Sequence, residues 1–64
     1  MNTTYLAYSK QILEKVSFDK YLFEKELHKA IEILPEVEIS ELYNWCITAF
    51  GSDYLSIIQQ SFNL

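Results

Sequence analysis

The chain contains no arginine, and its five lysines, Lys10, Lys15, Lys20, Lys25 and Lys29, all fall before residue 30. Arginine grips phosphate and guanine through a planar two-pronged donor, and phosphate contacts dominate affinity for DNA. Lysines spaced about five apart rotate around a helix rather than line one face of it. With a formal net charge of −4, the chain is not expected to bind nucleic acid.

Glycine and proline occur once each, at Gly51 and Pro35. A sheet folded on tight hairpins needs more turn residues than that, and a phosphate-cradling loop needs more than one glycine. The single cysteine, Cys46, excludes an internal disulfide framework. Long apolar runs are missing too. The longest, Trp45 to Phe50, is six residues and includes Thr48, against the roughly 20 that a bilayer demands. The second half also lacks the lysine- and arginine-rich polar face with which helices lie on anionic lipid, so no membrane partner is expected. No lysine-led apolar segment reads as a secretory signal, and the expected compartment is the reducing cytosol.

What the chain does have is apolar surface and rings. Half of its 64 residues are hydrophobic, with five tyrosines, four phenylalanines and one tryptophan. The whole of 1–64 reads as a single domain near the lower limit for folding without a disulfide or metal, because surface outweighs volume at this length. So many rings exceed what a small interior encloses. Self-association, as a homodimer, is the usual remedy, and tyrosine and tryptophan suit the centre of such interfaces. The charges are segregated as well. Residues 1–29 carry five lysines against Glu14, Asp19, Glu24 and Glu26, whereas 30–64 carry Glu32, Glu36, Glu38, Glu41 and Asp53 with no basic side chain. An uncompensated acidic half draws basic partners and repels polyanions.

Periodicity predicts an all-α fold, a small antiparallel bundle of three to four short helices. At about 100° per residue, Tyr5, Tyr8, Ile12 and Val16 form one stripe flanked by Leu6 and Leu13, with Lys10 and Glu14 opposite. The first helix is placed over 4–16 with Thr3 or Thr4 as its cap. Ser17 and Asp19 offer caps for a second helix, whose buried stripe is Phe23, Leu27, Ala30, Ile31 and Leu34. Its polar side is Tyr21, Lys25, His28 and Glu32. Pro35 ends it. The third helix begins either at Pro35, with Glu36 and Glu38 against the positive end of its dipole, or at Ser40 after a linker. Val37 favours the linker, since a start at Pro35 turns that side chain away from the stripe Ile39, Leu42, Tyr43, Cys46 and Phe50. Gly51 is expected to stop this helix in a left-handed conformation, and Ser52 or Asp53 to cap a short last helix bearing Tyr54, Leu55, Ile58 and Phe62.

Candidate sites are few. His28 with Glu24 and Glu32 lies on one helical side, but position 25 is lysine where a carboxylate-bridged metal site requires glutamate, so no metal and no cofactor are expected. Cys46 sits on an apolar stripe and reads as a buried thiol, not a nucleophile. None of the serines lies in a nucleophile-elbow motif, and Glu36, Glu38 and Glu41 gather at a helix start, where acids are favoured for dipole reasons alone. No catalytic residues are assigned. Trp45 lies about 40° beyond Ala49, at the rim of its helix's apolar face beside Glu38 and Glu41. A tryptophan there either folds over its own core or anchors a partner. Tyr21, projecting from a polar face, is a second anchor. The expected function is therefore a self-associating protein–protein interaction module whose partner contacts are Trp45, Tyr21, Glu38 and Glu41. The competing expectation is a small antitoxin-like or phage-type regulator whose acidic face blocks the nucleic-acid-binding surface of a basic protein.

Overall fold

The computed structural model describes residues 4–63. They form three α-helices and no strand: α1 (Tyr5–Lys15), α2 (Lys20–Ile33) and α3 (Glu36–Ser61). The fold is all-α.

Each start has a local cause. Thr4, in extended geometry, accepts the N–H of Ala7 on its Oγ1 at 3.1 Å, which satisfies one of the donors a helix start leaves open; Thr3 lies outside the described residues. Of the two caps proposed for α2, Asp19 is the one used. Its Oδ1 accepts the N–H groups of Tyr21 at 3.0 Å and Leu22 at 3.2 Å, while the Ser17 hydroxyl donates backwards to the Glu14 carbonyl at 2.9 Å.

The linker expected between Pro35 and Ser40 is not there. Helix α3 begins at Glu36, with Glu36 and Glu38 in its first turn, and the Pro35 carbonyl accepts the N–H groups of Glu38 at 2.9 Å and Ile39 at 3.0 Å. Val37 does point away from the core, 80% exposed. One solvated valine costs little beside a first turn with well-placed carboxylates and a proline ahead of it.

Gly51 does not stop α3 either. It has no positive φ, and the helix runs through it to Ser61, bending instead at Tyr54, whose φ of −122° and ψ of 23° are not helical. The expected fourth helix is thus the part of α3 beyond this bend, and neither Ser52 nor Asp53 acts as a cap. A reason for the bend is tertiary: the Tyr54 hydroxyl donates to the Ser17 carbonyl in the α1–α2 turn, holding that point of α3 against the other two helices.

The core consists of Leu6, Leu13, Phe23, Leu27, Ala30, Leu34, Leu42, Cys46 and Ile58, drawn from every helix. The α2 stripe and the α3 stripe as far as Phe50 lie inward as their periodicity predicts; beyond the bend Tyr54, Ile58 and Phe62 pack on the core, but Leu55, expected with them, is 44% exposed. Helix α1 does not follow its expected stripe. Leu6, Ser9 and Leu13 are buried, while Tyr5 and Tyr8 are exposed, a rotation of roughly 90° about the helix axis. Leucine loses nothing by complete burial, whereas each tyrosine hydroxyl needs water or a partner.

Candidate functional site

The rotation of α1 decides the surroundings of Trp45. Lys10, expected on the solvated side, lies half-buried with its Nζ 5.8 Å from the centroid of the Trp45 ring and 3.8 Å from Glu41 Oε2. A cation over the face of an indole is favourable, and the nearby carboxylate helps hold it there. Beneath, Trp45 meets Phe50 edge to face, with centroids 5.4 Å apart and planes at 82°. Phe50 repeats that geometry on Phe23 at 5.0 Å and 74°, and Phe23 stacks tilted against Tyr54 at 4.7 Å. Trp45 is therefore the outer member of a chain of rings that passes through the core and ends at the hydroxyl held by Ser17. It is half-buried and packed against the core.

Glu41 is exposed and Glu38 half-buried, so Lys10 joins Trp45 to Glu41 on one side of the molecule. Tyr21 is not part of that group. It stands on the outward side of α2, 73% exposed, alongside exposed Lys25, His28 and Glu32, and among the described residues its ring makes no aromatic contact. The four residues thus occupy two surfaces. Two features escaped the reading by periodicity. Phe18, in the α1–α2 turn, is 81% exposed; its place between two cap candidates was the signal. Lys10 had none, because its role depends on how α1 crosses α3.

The groups with chemical potential are held in quiet settings. Cys46 is closed to solvent, and burial pushes its pKa up to about 12, with the Lys10 charge pulling weakly the other way. At neutral pH it is a protonated thiol. His28 meets the Ser61 hydroxyl through Nε2 at 3.0 Å, tying α2 to the end of α3. Among the described residues, no three of histidine, cysteine, aspartate or glutamate converge as a metal site would require, and no helix is long and apolar enough to cross a membrane. Two clefts among the described residues stand out. One, of about 230 Å³, lies between Lys20 and the bent stretch from Ser52 to Ile57. The other, of about 240 Å³, is lined by Glu36, Ile39, Ser40, Tyr43 and Phe62, and Tyr43 and Phe62 meet in it edge to face at 5.2 Å. No protein-family model matches the chain, and neither does any curated protein or any solved structure.

Proposed function

We propose that this chain is a small antiparallel helical bundle that works as a self-associating protein–protein interaction module, without catalytic activity of its own. The observation that carries the reading is the exposure of Phe18 (81%) and Tyr21 (73%), three positions apart on either side of the Asp19 cap of α2. Two rings left in water at the start of one helix represent apolar area that association would remove from solvent. Trp45, already stacked on Phe50 beneath Lys10, contributes less free area than Tyr21 does. Sedimentation equilibrium tests the reading. The wild-type chain is expected to populate a dimer in the micromolar range, and Tyr21→Ala to shift it toward monomer. A chain that stays monomeric at high micromolar concentration defeats the proposal.

The alternative, an antitoxin-like or phage-type regulator that occupies a basic protein surface, draws on the other group. Glu36, Glu38 and Glu41 sit in the first two turns of a helix without a basic residue, and among the described residues Lys10 alone forms an ion pair with any of them. Binding of that kind is steered by charge and weakens steeply with salt. Association resting on rings does not.

A further inference from the structure

Helix α2 turns an outward strip to solvent, bordered at His28 by Ser61 of α3. Tyr21, Lys25, His28 and Glu32 are all exposed, and their spacing of four, three and four keeps them in one row along the helix. The charges in that row are ordered, with Lys25 toward the amino end and Glu32 toward the carboxyl end. Among the described residues, neither takes part in an ion pair within the chain. The apolar groups are split in the same way. Phe18 and Tyr21 mark one end, and exposed Val37 lies just beyond the turn at the other, while Ile33, 59% exposed, stands on a flank about 100° around the helix from Glu32.

Such a row is complementary to itself when reversed. Laid parallel, two copies set Lys25 against Lys25 and Glu32 against Glu32. Laid antiparallel about an axis between His28 and Lys29, they set Lys25 of each copy against Glu32 of the other, twice by symmetry. The same operation carries Phe18 and Tyr21 of each copy toward the turn of the other that bears exposed Val37. Near the axis, Lys29 pairs with Glu26 of its own helix at 3.4 Å and His28 is bonded to Ser61 at the end of α3. A stable interface buries about 800 Å² per partner. The strip of one 14-residue helix supplies only part of that, so rings and aliphatic groups on the flanking turns are needed, and they stand exposed there.

We infer that the outward face of α2 is a two-fold interface on which a second copy of this chain lies antiparallel, with Lys25 and Glu32 setting its direction. This rests on the self-association reading above and names its partner and register. The area comes from the rings; the charges select orientation more than they add strength.

Charge reversal tests it by sedimentation equilibrium at low salt, with circular dichroism confirming that each variant keeps its helices. Lys25→Glu and Glu32→Lys each convert two attractive contacts into repulsive ones and are expected to raise the dimer Kd by about tenfold. The double reversal restores both contacts at unchanged net charge and is expected to return the Kd to within about threefold of wild type. If the single reversals leave the Kd unaltered, or the double variant is no better than either single one, this interface is wrong while self-association through another surface stands. A wild-type chain that remains monomeric overturns both readings and leaves the face to a foreign protein.

Discussion

Cys46 shows how one residue's setting fixes its chemistry. Its folded-state pKa of about 12 lies above the 9.0 of an unburied thiol, because desolvation disfavours the thiolate. As pH rises past 9 the unfolded chain gives up this proton first while the folded chain retains it. Stability present below that pH is then lost, at up to about 1.4 kcal/mol per pH unit, as pH approaches the folded value. Urea titrations between neutral and strongly alkaline pH are expected to show this decline, with a shallower slope in Cys46→Ala. The same burial predicts that a thiol-alkylating reagent modifies the native protein far more slowly than the urea-unfolded one. Equal rates would show that the thiol is open to solvent.

Among the elements, α2 has the clearest local causes and α3 the clearest override. Asp19 caps α2 through two N–H groups at once, so Asp19→Ala is expected to cost about 1–2 kcal/mol in urea unfolding, with Asp19→Asn recovering most of it. For α3 the informative position is Gly51. A Cβ added there would meet only Ile47 Cγ2, at the ordinary contact distance of 3.6 Å, and the backbone is helical. Gly51→Ala is therefore expected to stabilise the protein by about 0.5–1 kcal/mol, since alanine loses less entropy in a helix. A left-handed glycine at this place would give the opposite sign, and a destabilised Gly51→Ala variant would restore the four-helix reading.

On the scale of the whole molecule, the chain closes its own core. Its radius of gyration is 10.8 Å, within the roughly 10–11 Å of a compact domain of this length, and Phe23 at the centre is fully buried against Phe50 and Tyr54. Removing that ring is expected to cost about 3–5 kcal/mol, comparable to the entire stability of a domain this small. Phe23→Ala should accordingly lose its helical circular dichroism at room temperature or melt far below wild type, whereas Val37→Ala, in solvent, should stay within about 0.5 kcal/mol. A core closed in this way leaves Phe18, Tyr21, Ile33 and Val37 outside it. Association is thus proposed for surface the fold does not need, not as a condition for folding.

The all-helical class, the span of α2 and its inward row Phe23, Leu27, Ala30, Ile31 and Leu34, with Ile31 only partly buried, were all legible in residue order. They follow from caps, periodicity and a proline stop, each acting within a few residues. Tyr21 could be placed on the wet side of α2 for the same reason. The rotation of α1 could not be read that way, because Tyr5 with Tyr8 and Leu6 with Leu13 are two adjoining apolar rows, and the choice between them depends on which packs without stranding a hydroxyl. Nor could the place of Lys10 above Trp45, or the bend at Tyr54 in place of a break at Gly51. Those features arise where residues far apart along the chain meet, and a contact across helices outweighs the small local preference of a single glycine or lysine.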